Sequence, residues 1–267
     1  MENISFVADH LRILVLNGRY SPGFVQGIDI VKNTTCHLVQ YPERVRNSAG
    51  GLLRNHPTIC GGYNLNTDSL TASCYQLDPS TNLWSFLSSL HTARIYHASV
   101  ELDGGLWVTG GGHGSNDLSS TEMVHEDGSV VQGPPLPSAR QAHCMVDLLD
   151  GRIMLIGGYG GRLNSNEVLF YHPSNRSFVR GPSLKKGRRY HACTVFQSHR
   201  HQLRYIVLVA GGYDNLRSVE VLDFSTPSAV WNESEFGLIL IIISMSNLFI
   251  YFKHSFILMP ESFHLVE

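Results

Sequence analysis

The chain has 267 residues, 43% of them hydrophobic, and a formal net charge of −2 at pH 7. That apolar share is enough for a packed core, and near-neutrality with a single basic run (Lys185 to Arg189) gives no electrostatic reason to expect nucleic acid. None of the five cysteines shows the Cys-x-x-Cys spacing of a zinc site, so buried free thiols are expected, with a Cys60–Cys74 bridge as the geometrically open alternative.

In chain order, residues 1–10 lack the basic start and unbroken apolar core of a signal peptide. RILVLNG (Arg12 to Gly18), GIDIV and TTCHLV then read as the second, third and fourth strands of a first unit near 4–41. Its innermost strand must come from ENISFVA or be lost. A second unit runs near 51–90, with ICGGYN placing Gly61-Gly62 after an apolar strand. The third, near 96–137, carries Asp103-Gly104 and Gly110-Gly111, and an Asp127-Gly128 hairpin pair where its neighbours have a Pro turn. The fourth, near 143–184, repeats Asp150-Gly151 and Gly157-Gly158 at a displacement of 47 residues. The fifth, near 191–231, contains IVLVAGGYDN and ends on Trp231. Each unit offers four short strands with a turn signal between each pair, and no stretch reads as a helical domain.

The openings repeat as well. Arg94-x-x-His97, Arg140-x-x-His143 and Arg188-x-x-His191 recur at steps of 46 and 48, and the outer strands LDPSTNLW, YHPSNRSF and LDFSTPSAVW end on Trp84, Phe178 and Trp231. A four-stranded unit of this length cannot bury both faces alone, so neighbours must stack as propeller blades. The double glycine after an apolar strand and the aromatic after a turn resemble the kelch repeat, from roughly Arg12 to Trp231. The resemblance implies an all-β fold: a kelch-type β-propeller of about five four-stranded antiparallel blades, incompletely closed, over 1–234.

Histidines and arginines that recur once per blade are expected to be structural first, holding one blade's entry to its neighbour. The loop joining strands two and three shares a face with the segment entering the next blade. Tyr63, Asn64, Tyr159 and Tyr213, with His113 in the third blade, are therefore expected to ring one mouth together with Arg94, Arg140 and Arg188. Aromatics and arginine dominate binding hot spots, and guanidinium groups there could grip an acidic protein or peptide. No Gly-x-Ser-x-Gly, phosphate loop or His-Glu-x-x-His is present, so no catalytic residue, metal or cofactor is assigned. The resemblance implies a non-enzymatic binding module of adaptor or scaffold type. A galactose-oxidase-like copper site is the remote alternative, because no constellation of its tyrosine, histidine and cysteine ligands is found.

Past Trp231 the pattern breaks into an apolar tail, 235–267, whose stretch Phe236 to Phe252 reaches the lower length limit of a transmembrane helix. It is read either as a membrane span or as a segment foreign to the fold. The expectation is a cytoplasmic protein, soluble or tail-anchored. A membrane-anchored or extracellular recognition protein is the alternative, favoured by sequons at Asn33, Asn175 and Asn232.

Overall fold

In the computed structural model, residues 12–18, 21–29, 34–37, 39–148, 150–197, 205–213, 218–224 and 229–234 are described. The tail with its 236–252 span and the ENISFVA strand lie outside them. Every regular element among the described residues is a strand. No helix there is long and apolar enough to cross a membrane.

Most strands form five successive antiparallel sheets, and two short ribbons, Gly112–His113 with Asn116–Asp117 and Tyr159–Gly160 with Leu163–Asn164, lie in the loops that follow the glycine pairs of the third and fourth. The first has three strands, Arg12–Gly18, Ser21–Asp29 and Thr34–His37, paired in sequence order. In the second, His56–Asn64 pairs on one side with both Val45–Arg46 and Ala49–Leu53, and on the other with Ser69–Asp78, which continues to Leu83–Ser89. The third runs Ala98–Leu102, Gly105–Thr109, Thr121–Val124 and Val130–Gln132. The fourth runs Cys144–Asp147, Ile153–Ile156, Val168–His172 and Ser177–Arg180. The fifth runs Ala192–Gln197, Tyr205–Ala210, Val219–Asp223 and Trp231–Ser234. These are the blades of an unclosed β-propeller: among the described residues, no strand of the first sheet pairs with the fifth.

The second strand of each blade shows why the units must stack. Gly105–Thr109 and Ile153–Ile156 are buried at every position, so both faces meet a neighbouring sheet and the usual in–out alternation disappears. One cluster joins Met154, Ile156, Val168 and Phe170 of the fourth blade to Val207, Val209, Leu222 and Trp231 of the fifth. Another joins Val100 and Trp107 of the third blade to Ile153, Leu155 and Tyr171 of the fourth. Each buried Leu or Ile contributes about 1.5–3 kcal/mol. The outer-strand aromatics also reach backwards: the Trp231 indole donates to the Pro182 carbonyl at 2.8 Å and Trp84 to that of Val39 at 3.1 Å. The third blade lacks this aromatic and turns instead at Asp127-Gly128, where the Gly128 N–H donates to the His125 carbonyl.

The expectation of free thiols is corrected. Cys60 and Cys74 stand directly opposite each other on paired strands and are bridged, their Cα atoms 4.1 Å apart. Cys144 and Cys193, on the innermost strands of the fourth and fifth blades, form a second bridge.

Candidate functional site

The three junctions from the second blade to the fifth are built from the same parts. The second glycine of a pair donates its N–H to the carbonyl of the next blade's arginine: Gly62 to Arg94 (2.8 Å), Gly111 to Arg140 (2.9 Å) and Gly158 to Arg188 (2.9 Å). The first glycine accommodates the next blade's histidine. At Gly110, with φ +57°, a Cβ would lie 2.5 Å from the Arg140 carbonyl oxygen and 3.0 Å from His143 Cε1, so only glycine fits. His97 Nε2 lies 3.1 Å from the Cys60 carbonyl, and His143 Nε2 lies 2.8 Å from Thr109 Oγ1. Burial pushes His97 and His191 down to about 3, with Arg94 and Arg188 adding repulsion, and holds His143 well below its ordinary value. These rings are neutral joints between blades.

The arginines of the repeat bond within the fold, although the Nε of Arg140 and of Arg188 has no hydrogen-bond partner among the described residues. Arg94 pairs with Glu122 inside its own blade and donates to the Gly110 carbonyl at 2.8 Å. Arg188 pairs with Glu220 at 2.7 Å and donates to Gly211 at 2.8 Å. Arg140 pairs with Glu167 and donates to Gly157 at 3.2 Å. All three are buried. Glu122 also accepts the backbone N–H groups of His91 and Thr92, and Glu220 those of Lys185 and Lys186, so each carboxylate clips the chain entering its blade. The expectation that Arg94, Arg140 and Arg188 face a partner is therefore corrected: their guanidinium groups satisfy buried carbonyls and carboxylates. Asn64 is corrected likewise. It is buried, its Oδ1 accepts from Asn66 and Thr67, and its Nδ2 donates to Glu43.

The residues one step along meet the segment that follows a glycine pair. In an extended segment successive side chains point to opposite sides, so an inward Arg188 turns Arg189 outward. Arg46 stands opposite Tyr63, Ile95 opposite Gly112 and Gln141 opposite Tyr159, while the Tyr213 N–H donates to the Arg189 carbonyl at 3.0 Å. His113 thus sits one residue beyond the tyrosine register; it is exposed and its Nδ1 lies 2.7 Å from the Ala93 carbonyl. Between the fourth and fifth blades the Arg189 guanidinium is clamped by two rings, with Tyr159 at 4.4 Å and Tyr213 at 4.5 Å, and Tyr190 lies beyond at 5.8 Å. In the second blade Arg46 lies over Tyr63 at 4.9 Å, and the Tyr63 hydroxyl donates to Asp68 at 2.6 Å. Among the described residues no carboxylate pairs with Arg46 or Arg189.

A staircase of backbone hydrogen bonds also links the blades: Tyr96 donates to Asn47, Ala142 to Tyr96 and Tyr190 to Ala142, at 2.7–3.0 Å. All four of these residues have positive φ. Tyr96 and Tyr190 meet edge to face over Ala142, their ring centroids 5.1 Å apart. Arg46, Gln141, Arg189, Tyr96 and Tyr190 were not singled out from the sequence. Alternation about the Arg-x-x-His motif could have shown them. The second blade was harder, because Val45-Arg46-Asn47-Ser48 occupies the motif's place with neither its arginine nor its histidine. No group of three or more His, Cys, Asp or Glu side chains fit to hold a metal occurs among the described residues.

No protein-family model matches the chain. Over 122 residues it is 34% identical to human Kelch-like protein 33, a match covering 45% of this chain and 23% of that protein. It is 27% identical over 181 residues to mouse Kelch-like protein 35, covering 65% of this chain and 30% of that protein. These repeats are kelch repeats. Beta-scruin of Limulus polyphemus is also similar, 27% identical over 125 residues, covering 43% of this chain and 14% of that protein. The kelch chain spans 23–30% of the length of the curated kelch-like relatives 33 and 35. The solved structure titled "Structure of YjhT" superposes with a TM-score of 0.59 at 16% identity, covering 72% of this chain and 66% of that one; this likeness concerns the fold.

Proposed function

We propose that this chain is a non-enzymatic protein- or peptide-binding kelch module, of adaptor or scaffold type, that takes an acidic segment of its partner across the mouth. The observation that carries this reading is the Tyr159–Arg189–Tyr213 clamp. Its rings lie 4.4 and 4.5 Å from a guanidinium that has no acidic partner among the described residues, which leaves its N–H groups to be met by a carboxylate of the partner. Arg46 on Tyr63 offers a second cation at the same register of another blade, and Tyr63, His113, Tyr159 and Tyr213 supply the surrounding contact surface. The mouse Influenza virus NS1A-binding protein homolog, 45% identical over 60 residues (22% of this chain, 9% of that protein), carries protein binding in its name and is consistent with such a role.

The test is an array of peptides rich in Asp and Glu beside their Asn and Gln counterparts, probed with the full chain. Acidic peptides should be retained and amide ones not, and Arg189→Ala should weaken retention about 30-fold, the scale of a hot-spot residue. Unchanged retention in a folded Arg46→Ala/Arg189→Ala variant would overturn the reading.

A second reading, a membrane-anchored or extracellular recognition protein, is favoured by the two disulfides, which persist in oxidising compartments. A glycan on the exposed Asn175 of protein from its native source would support it, and unmodified Asn175 with free thiols throughout would count against it.

A further inference from the structure

Among the described residues, the Cys144–Cys193 bridge is the one covalent link between two blades; Cys60–Cys74 joins two strands of a single blade. The two also differ in access. Cys60 and Cys74 are fully enclosed, whereas Cys144 and Cys193 are half-buried. Thiol–disulfide exchange requires an attacking thiolate to reach a sulfur, so only the inter-blade bridge is open to it while the fold stands.

The inter-blade bridge also lies close to the junction that carries the clamp. Cys144 follows His143, and its strand partner Ile156 precedes Gly157-Gly158; Cys193 lies two residues after His191. The same junction carries the Gly158 N–H to Arg188, the Tyr190 N–H to Ala142, and the Arg189 stack on Tyr159. The clamp is thus divided between blades, with Tyr159 from the fourth and Arg189 and Tyr213 from the fifth. We propose that Cys144–Cys193 is a redox-sensitive staple that fixes the fifth blade on the fourth and thereby holds the two halves of the clamp together. A small dithiol would open it: one thiolate attacks a bridge sulfur and releases the other cysteine as thiolate, and the reagent's second thiol then attacks the reagent sulfur of the mixed disulfide and releases the remaining cysteine. Two electrons and two protons pass to the protein, leaving two cysteine thiols and the cyclic disulfide of the reagent. The consequence for binding rests on the function proposed above; the staple itself does not.

The experiment titrates the full chain with dithiothreitol, alkylates with iodoacetamide and maps the modified cysteines by peptide mass. Amide hydrogen exchange is followed in parallel. Cys144 and Cys193 should become alkylated at reductant concentrations that leave Cys60 and Cys74 bridged. Exchange at Gly158 and Tyr190 should then accelerate roughly tenfold or more, while Gly62 and Gly111 keep their rates. The Cys144→Ser/Cys193→Ser variant should show the fast rates without reductant. Joint reduction of both bridges, alkylation of Cys144 and Cys193 before any reductant, or unchanged exchange on reduction would each overturn the staple. Faster exchange with undiminished capture of acidic peptides would support the staple and remove the Tyr159–Arg189–Tyr213 clamp as the seat of that capture.

Discussion

Val45 and Tyr75 of the second blade stand where the third blade has Arg94 and Glu122. Val45 precedes Arg46, which faces Tyr63, as Arg94 precedes Ile95, which faces Gly112; Tyr75 pairs with Ile59 two residues before Gly61, as Glu122 pairs with Val108 two residues before Gly110. Both members of the ion pair are replaced together, and Val45 and Tyr75 instead share an apolar cluster with Tyr41, Ile59 and Leu77. The logic is desolvation: one buried charge without its partner is costly, whereas an apolar pair of suitable shape costs little or nothing. Glu122→Ala should therefore destabilise the protein by about 3–5 kcal/mol in urea unfolding, and Arg94→Val/Glu122→Tyr should recover most of that loss. A double variant no more stable than the single one would refute the equivalence. Arg188 and Arg189 offer a companion test. Arg188→Ala should lower the urea midpoint sharply, whereas Arg189→Ala should shift stability by no more than about 1 kcal/mol, the scale of a stacking contact.

At the scale of the strand and its turn, the double glycine is a joint whose geometry belongs to two blades at once. Gly110→Ala forces a Cβ into left-handed backbone, costing about 1–2 kcal/mol before the Arg140 carbonyl and the His143 ring are displaced. The thermal midpoint should fall by several degrees. The same substitution at Gly151, where a Cβ would meet nothing within 4 Å, should pay only for its backbone angle, and equal losses at both sites would remove the case for a crowded joint. Strand order and the recurrence of the blades were legible because Gly-Gly, present in four of them, and Arg-x-x-His, present in three, are local patterns fixed by backbone geometry. The binding surface was less so. Arg188 and Arg189 are neighbours of one chemical type in sequence, and only the register against Gly211 and Tyr213 decides which is enclosed. The inter-blade bridge was hidden for a related reason: Cys144 and Cys193 are 49 residues apart and meet only once the blades stack.

Across the whole molecule, the three junction histidines act in concert. A histidine in the unfolded chain ionises near 6.5, while His97 and His191 resist protonation down to about 3. Between these values the unfolded state binds more protons, so stability falls as pH drops from about 6.5 towards 3 and levels off below. Each such histidine contributes a slope of roughly 1.4 kcal/mol per pH unit. Unfolding midpoints measured from pH 7 to pH 4 should decline, and His97→Gln/His191→Gln should flatten the decline. An unaltered slope in that variant would place the acid sensitivity elsewhere.

The Arg–Glu pair lies within a blade, whereas the Gly-Gly and histidine contacts lie between blades and are nearly alike at the three junctions described. The second, third and fourth blades present the same socket, and the third, fourth and fifth the same plug. Interchangeable couplings of this kind let a gene lengthen, shorten or reorder such a chain by whole cassettes without inventing a new interface. Binding surfaces assembled from the tips of the cassettes would then diversify by shuffling before a single residue was refined.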